Sequence, residues 1–201
     1  MARHKEAERE KIAAESRRAL LDAATEEFAR GGYDAANINR ISLAAGFAKG
    51  TIYNYFPSKR ELMLALVDDI AAGHIGYIME RVGQVDDPES RLALFFEAGF
   101  AWVMEQTDRA RVMITMLYGP DEAFRTHMYQ AYLPLFQFVA EQIIGRGIES
   151  GQFRRVGPRA TAGLLMTIYL GTASQTDEAG RTWLDPQQVS DFATHALKAE
   201  G

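Results

Sequence analysis

The sequence predicts an all-α protein of about nine helices in two parts, an N-terminal head (residues 1–60) and a larger helical body (residues 61–201). Apolar residues recur at the helical spacings of three and four along most of the chain. Aspartate-proline pairs at 87–88 and 185–186 mark helix starts, because aspartate caps a helix and proline suits its first position. The sequence contains no convincing pair of strands and no internal repeat.

The first helix is expected to begin in the charged N-terminal arm. Gly31 and Gly32 should end it, since glycine readily adopts the left-handed conformation that follows a helix. Its apolar residues have helical spacing and face inward. They are Leu20, Leu21, Ala24 and Phe28.

Residues 37–61 predict a short helix, a tight turn and two further helices. Asn37 can cap the first of these helices, and Gly46 ends it and makes the turn. The next helix is expected over residues 48–55. Ser58 and Glu61 then form a capping box that opens the following helix. This is the layout of a helix-turn-helix, which places its second helix in the major groove of DNA.

The body is expected to contain six helices. Their approximate ranges are 58–82, 88–106, 108–117, 121–149, 158–175 and 186–199. Pro134 lies inside the fourth of them and should kink or split it, because proline lacks a backbone donor and crowds the preceding turn.

Charge is divided unevenly between the two parts. The head holds 11 Lys and Arg against 8 Asp and Glu, a net charge of +3. The body holds 11 against 19, a net charge of −8. A basic head on an acidic body directs the head toward phosphates, which indicates nucleic acid as a partner.

Several other classes of function are not expected. The chain has no cysteine, which excludes disulfides and thiolate chemistry and fits a reducing cytoplasm. No nucleophile elbow, phosphate-binding glycine loop or metal-ligand spacing is present, and the four histidines are scattered, so we expect no enzyme, metal or cofactor. The N-terminus is too charged for a signal peptide, and no apolar run approaches the roughly 18 residues that span a bilayer, so no membrane partner is expected.

Residues 20–64 resemble the N-terminal domain of the tetracycline-repressor (TetR) family of transcriptional regulators. The resemblance is carried by an Ala-Gly turn, a Gly-Thr-Ile-Tyr helix and a Tyr-Phe-x-Ser-Lys exit. The matching residues are Ala23, Ala24, Phe28, Gly32, Tyr33, Ile41, Ala45, Gly46, Lys49, Gly50, Thr51, Ile52, Tyr53, Tyr55, Phe56, Ser58, Lys59 and Leu62. Ala48 departs from the pattern, since the family often has a capping serine or threonine there.

The resemblance implies an all-helical homodimer that binds an operator in double-stranded DNA and is released by a small-molecule effector. It also implies that the last two helices, 158–175 and 186–199, form the dimer interface. Small residues in the stretch 163–173 permit the close helix packing that such an interface needs.

Candidate DNA contacts cluster around the turn. Lys49 and Lys59 can neutralise phosphates, and Lys49, Thr51 and Asn54 can reach base edges. Gly50 allows close approach to DNA, whereas Tyr55 is interpreted either as a DNA contact or as a packing residue. The predicted set is Asn37, Lys49, Gly50, Thr51, Tyr53, Asn54, Tyr55 and Lys59.

Aromatic and methionine residues concentrate in three stretches of the body, which suits a pocket for an apolar or aromatic effector but also a plain core. The predicted lining is Phe96, Phe100, Met104, Met113, Met116, Phe124, Met128, Tyr132 and Tyr169. Two alternatives stay open. One is a DNA-binding regulator without a small-molecule effector, either an activator or one controlled by a protein partner, and the other is a helical protein-interaction module.

Overall fold

The computed structural model describes residues 2–175 and 182–199, and this part of the chain is helical with one isolated backbone bridge, between Phe153 and Lys198. The predicted all-α class is confirmed. Nine α-helices occur in the described residues: α1 (Ala2–Ala35), α2 (Ile38–Ala44), α3 (Lys59–Val82), α4 (Pro88–Glu105), α5 (Thr107–Tyr118), α6 (Glu122–Phe138), α7 (Arg146–Glu149), α8 (Pro158–Ala173) and α9 (Pro186–Leu197).

The head contains α1, α2 and a single turn of 3₁₀ helix, Thr51–Asn54. Helix α1 is interrupted at Gly32, whose φ of 71° and ψ of 179° are not helical. The predicted helix over 48–55 is corrected to this shorter 3₁₀ turn, because Gly50 adopts a left-handed φ of 82° and helical hydrogen bonding starts only after it. The caps expected at Asn37 and Ser58 are both present.

Helix α3 runs from the head into the body and packs on α1, α4, α5 and α6. By length and composition it could cross a membrane, which corrects the expectation that no apolar segment of that length exists. Its buried side chains, which include Leu66 and Ile70, belong to the common core, and Asp68 and Asp69 interrupt its outer face. Core packing therefore accounts for its apolar composition.

Pro134 does not split its helix, since α6 continues through it to Phe138. The chain then widens into a π-helical segment, Val139–Gly145, before α7 completes the run to Glu149. Buried Val139, Ile143 and Ile144 pack this segment on α8 and α4. All three side chains are part of the body core.

Helices α8 and α9 form one side of the body. Each begins with a proline, and Asp185 caps α9 by accepting the backbone N–H of Gln187. Helix α9 packs on α4, and α8 packs on α4, α6 and the π-helical segment. Both helices also present large apolar side chains to solvent, with Leu164 and Phe192 each 65% exposed.

Candidate DNA-binding surface and effector cavity

Two left-handed glycines and two hydrogen bonds of Ser42 fix the backbone of the turn before the 3₁₀ segment. Gly46 and Gly50 take left-handed φ values of 83° and 82°, which only glycine adopts without strain. The buried Ser42 hydroxyl donates to the Ala48 carbonyl at 2.7 Å, and the Phe47 N–H donates to the Ser42 carbonyl at 2.9 Å. These bonds fix where the 3₁₀ segment starts. Sequence reasoning does not identify Ser42, because a serine within a helix gives no local signal of a bond six residues away.

The predicted DNA contacts on this turn differ in exposure. Lys49, Tyr53 and Asn54 are exposed, and Tyr53 presents 52% of its surface. Thr51 is half-buried, and Ile52 between them is fully buried and anchors the segment. The segment therefore presents one polar face to solvent on a backbone fixed by the core.

Tyr55 is half-buried and packs on Phe47, with ring centroids 6.2 Å apart. The structure thus shows a packing partner for Tyr55, although it is Phe47 and not the neighbouring Phe56. Phe56 instead lies under the guanidinium of Arg17, 4.5 Å from its ring centroid.

Asn37 and Lys59 already have partners within the protein. The Asn37 side-chain oxygen accepts the backbone N–H groups of Asn39 and Arg40, at 2.9 and 3.3 Å. The Lys59 ammonium donates to the Asp34 carbonyl at 2.9 Å and lies 4.9 Å from the Tyr33 ring centroid. Lys59 therefore fastens the start of α3 to the end of α1.

A buried carboxylate organises the interior of the head. Glu27 is 4% exposed and accepts the Asn37 N–H at 2.9 Å and the Arg40 Nε at 3.0 Å, with a second bond from Arg40 Nη2. Burial opposes ionisation, but these donors together with Arg30 hold the pKa of Glu27 below its usual value. The charged carboxylate joins α1 to the start of α2. Its role could not be inferred from the sequence, where it is one of many glutamates in α1.

Four charged side chains join the head to the body. Asp69 on α3 accepts Arg18 of α1 at 3.1 Å and Arg109 of α5 at 2.7 Å. Arg109 also donates to Asp22 of α1 at 3.0 Å, and Arg18 lies 3.3 Å from the same carboxylate. This network, which we call the junction network, connects three helices. It ties α1 of the head to α3 and α5 of the body.

The body contains a cavity of about 560 Å³ between α5, α6 and α8. Three of the predicted effector-binding residues, Met113, Met128 and Tyr132, line it. The remaining lining residues are Leu117, Tyr118, Tyr129, Leu133, Phe136, Gly163, Met166, Thr167 and Leu170.

The other predicted lining residues lie elsewhere. Phe96 and Phe100 are fully buried in the core, and Met104 is 52% exposed. Met116 and Phe124 line a separate surface depression of about 540 Å³ between the end of α1 and the start of α6. The sequence marks all of these residues as large and apolar, and only packing separates those that face the cavity from those that do not.

Tyr169, the last of the predicted set, belongs to a buried polar cluster beside the cavity. Its hydroxyl lies 3.1 Å from His74 Nε2 and 2.9 Å from the Gly99 carbonyl oxygen. On the other side of the imidazole, Nδ1 lies 3.0 Å from the Tyr132 hydroxyl. The His74 ring also stacks on Trp102, with centroids 4.2 Å apart.

The imidazole of this cluster is neutral. His74 is fully buried, and burial lowers its pKa to about 3. Burial likewise raises the pKa of Tyr132 and of Tyr169, so both phenols keep their protons. No local pattern in the sequence indicates this cluster, because its members come from α3, α4, α6 and α8.

The head matches a known family. A family model described as bacterial regulatory proteins, tetR family, matches residues 20–66. This range contains α2, the turn, the 3₁₀ segment and the first third of α3, which is the part of the chain that holds the candidate DNA contacts.

Two curated relatives extend the likeness beyond the head. The HTH-type transcriptional repressor KstR2 of Mycobacterium tuberculosis is 30% identical over 149 residues, which cover 67% of this chain and 68% of that protein. The fatty acid metabolism regulator protein of Bacillus subtilis is 26% identical over 173 residues, 86% of each chain.

The fold is also shared over most of the chain. The crystal structure of AibR in complex with isovaleryl coenzyme A and operator DNA superimposes with a TM-score of 0.74 at 18% identity, covering 92% of this chain and all of that one. Together with the family match and the identity to KstR2, this shows that the chain belongs to the TetR family and is a DNA-binding transcriptional regulator.

Proposed function

We propose that the protein is a dimeric repressor that binds a palindromic operator and is released by a small, largely apolar or aromatic effector. The observation that carries the proposal is the combination of an exposed polar 3₁₀ segment with a cavity of about 560 Å³ behind it in the body. The cavity favours an effector-controlled regulator over one without a small-molecule ligand. In this proposal residues 1–60 bind DNA and residues 61–201 bind effector and dimerise.

The DNA contacts of the proposal come from the exposed side of the turn. Lys49 and Tyr53 bind backbone phosphates, and Asn54 and Thr51 reach base edges. Gly50 lets the backbone approach the groove closely because it has no side chain, and its left-handed φ of 82° favours glycine at this position. Asn37, Tyr55 and Lys59 act mainly by positioning this surface, because each already has a partner within the head.

The dimer interface of the proposal lies on α8 and α9. Leu164 on α8 and Phe192 on α9 are both strongly exposed, as are Trp183 and Leu184 just before α9. Exposed apolar side chains clustered on two adjacent helices are typical of an interface. In an isologous dimer the two heads are related by two-fold symmetry and bind half-sites about one DNA turn or more apart. The operator is therefore palindromic.

Release follows if effector binding changes the position of the heads. The cavity is lined by Met113 and Leu117 of α5, and the same helix carries Arg109 of the junction network one turn earlier. An effector that displaces α5 therefore changes the contacts of Arg109 with α1 and α3. It shifts the equilibrium only by the difference between its affinities for the two head positions.

The similar proteins support control by an effector but do not identify the effector of this protein. AibR is described with isovaleryl coenzyme A and operator DNA, and the Bacillus subtilis relative is described as a regulator of fatty acid metabolism. We propose a cytoplasmic regulator with no catalytic activity, in line with these relatives.

The proposal is tested by selecting bound fragments of the source genome with the purified full-length protein at low and at moderate salt. We expect one enriched palindrome whose binding weakens as salt rises, because each phosphate contact releases counterions. Absence of an enriched sequence at either salt would contradict the proposal.

The matched variant is Tyr53→Phe, which removes one exposed hydroxyl and leaves the ring. We expect it to weaken operator binding with unchanged thermal stability, whereas Tyr77→Phe, which removes a hydroxyl of the body that lies outside the cavity and donates to Glu105, should leave operator binding unchanged. Equal operator binding by both variants would remove Tyr53 from the interface.

A further inference from the structure

The buried cluster beside the cavity is a chain of three hydrogen bonds that crosses the body. It runs from the Tyr132 hydroxyl on α6 to His74 on α3, then to the Tyr169 hydroxyl on α8 and to the Gly99 carbonyl on α4, with distances of 3.0, 3.1 and 2.9 Å. We call it the relay. A neutral imidazole has one donor and one acceptor nitrogen, so all bonds of the relay must run in the same direction.

The Gly99 carbonyl determines that direction. Two oxygens 2.9 Å apart need a proton between them, and the carbonyl has none, so the Tyr169 hydroxyl donates to Gly99. The Tyr169 oxygen then accepts from His74 Nε2–H. His74 Nδ1 is therefore the unprotonated nitrogen and accepts the proton of the Tyr132 hydroxyl.

The relay leaves the Tyr132 oxygen as a hydrogen-bond acceptor at the cavity. Tyr132 and Met113 both line the cavity and form one part of its wall, where the Tyr132 hydroxyl has a second acceptor within donating distance, the Met113 sulfur at 3.0 Å. A thioether is a weak acceptor and does not compete with the imidazole nitrogen for the Tyr132 proton. A ligand that reaches this wall thus meets oxygen lone pairs.

The other polar side chains of the lining, Tyr118, Tyr129 and Thr167, are all exposed. Among the described residues that line the cavity, none carries a charge. Tyr118 and Tyr129 are exposed at its rim, 58% and 66%, and the Thr167 hydroxyl donates to the Gly163 carbonyl at 2.8 Å within its own helix. Tyr132 is the group that a buried ligand can address.

We propose that the effector is an uncharged, largely apolar molecule that carries a hydrogen-bond donor such as an alcohol or phenol hydroxyl, and that Tyr132 recognises this donor. This inference rests on the proposed function and specifies its effector. A desolvated acceptor discriminates strongly against ligands that bring only another acceptor, because both groups then stay unpaired. A ligand with a net charge would be buried without a counter-charge, which is unfavourable.

The close packing of Tyr169 on Gly99 holds in place the hydrogen bond that sets the direction of the relay. A Cβ atom added at Gly99 would lie 2.8 Å from Tyr169 Cε2, so the glycine is what lets the Tyr169 ring reach the carbonyl. Without the Tyr169 hydroxyl, His74 is free to protonate Nδ1 and donate to Tyr132. The Tyr132 hydroxyl would then turn its proton toward the cavity.

The inference is tested by calorimetric titration of the full-length protein, without DNA, with naphthalene derivatives as probes. 2-Naphthol brings a donor, 2-methoxynaphthalene only an acceptor. We expect Tyr132→Phe to weaken 2-naphthol binding about five- to tenfold, the range of one hydrogen bond, and to leave 2-methoxynaphthalene unchanged. Gly163→Leu, which fills the cavity from α8, should abolish binding of both and so locate the site.

Tyr169→Phe gives the sharper test, because Tyr169 does not line the cavity. We expect this variant to lose its preference for 2-naphthol and to bind the ketone 2-acetylnaphthalene more tightly than the unmodified protein does. If Tyr169 had only a structural role, Tyr169→Phe would weaken the binding of 2-naphthol and of 2-acetylnaphthalene equally.

Four results would overturn the inference. The first is tighter binding of the ether or the ketone than of 2-naphthol by the unmodified protein, and the second is an equal loss of affinity for all ligands in Tyr132→Phe. The third is binding of the anion 2-naphthalenesulfonate that is tighter than that of 2-naphthol and is abolished by Gly163→Leu. The fourth is that no naphthalene derivative shows saturable binding. None of them bears on operator selection, which tests the proposed function separately.

Discussion

The head and the body use polar side chains in opposite ways. In the head, the candidate DNA contacts Lys49, Tyr53 and Asn54 are exposed and nearly consecutive, and the buried Ser42 holds the backbone of their turn. In the body, the polar groups beside the cavity are buried, uncharged and drawn from four helices. A surface that binds phosphates needs cations in water, whereas a cavity for an apolar effector needs polar groups already paired before the ligand arrives.

The largest effect is expected from removing the buried charge of the head. Glu27→Ala leaves the Asn37 N–H and the Arg40 guanidinium without their acceptor. Because three hydrogen bonds to a charged group are lost, we expect a loss of about 3 kcal/mol in unfolding free energy, measured by urea denaturation, together with loss of operator binding. Glu26→Ala, one residue away and exposed, is the control and should change stability by less than about 0.5 kcal/mol. Similar losses in both variants would show that the burial of Glu27 is not decisive.

The packing of the body is tested next by Gly99→Ala. The added methyl group would overlap the Tyr169 ring and displace it from the Gly99 carbonyl, which we expect to cost about 2 to 3 kcal/mol. Gly73→Ala is the matched control, since it is exposed in α3 with no atom within 4 Å of the added carbon. That variant should gain about 0.5 to 1 kcal/mol from helix propensity. A neutral Gly99→Ala would mean that Tyr169 has room to move.

The pH dependence of stability distinguishes the buried His74 from the buried Glu27. The pKa of His74 is lowered to about 3, below that of the unfolded chain near 6.5, so the unfolded state alone takes up this proton as pH falls. Stability should therefore fall by about 1.6 kcal/mol between pH 6.5 and pH 5 through His74. Glu27 has a lowered pKa, so its contribution is complete above the ordinary carboxyl range and disappears only at lower pH.

Urea denaturation at both pH values should show this fall in the unmodified protein and a shallower one in His74→Gln. The remaining titratable groups are common to both proteins and cancel in the comparison. Parallel pH profiles would show that His74 is not protonated on unfolding in this range.

The smallest effect is expected on the exposed face of the head. Lys49→Ala should leave the melting temperature unchanged and cost about 1 kcal/mol of operator affinity per head, with a salt slope reduced by about 1 for each phosphate that is no longer neutralised. Arg111→Ala removes an exposed cation of the body and should change neither quantity. An unchanged salt slope in Lys49→Ala would exclude a phosphate contact at this residue.

Local signals in the sequence predict the head more closely than the body. The caps at Asn37 and Ser58 and the turn at Gly46 depend on neighbouring residues, and all three are present. The predicted length of the third helix is wrong, because the left-handed conformation of Gly50 is imposed by the turn that Ser42 and Phe47 hold in place.

The effector cavity could be predicted only in part. Composition identifies the aromatic and methionine stretches of the body, and Met113, Met128 and Tyr132 do line the cavity. Phe96 and Phe100 have the same composition and helical spacing but face the core. Helical periodicity specifies which face of a helix is apolar, and it does not specify which neighbouring helix that face meets.

The helices, their caps, the charge difference between head and body and the family of the protein all follow from the amino-acid sequence, because they depend on residues close together in the chain. The junction network, the cavity and the direction of the relay follow only from tertiary packing. His74 and Tyr169 are 95 residues apart, and a hydrogen bond between them exists only because α3 and α8 pack against the same part of α4. That packing determines which nitrogen of His74 carries the proton and therefore how the Tyr132 hydroxyl is oriented. No local pattern in the sequence encodes this.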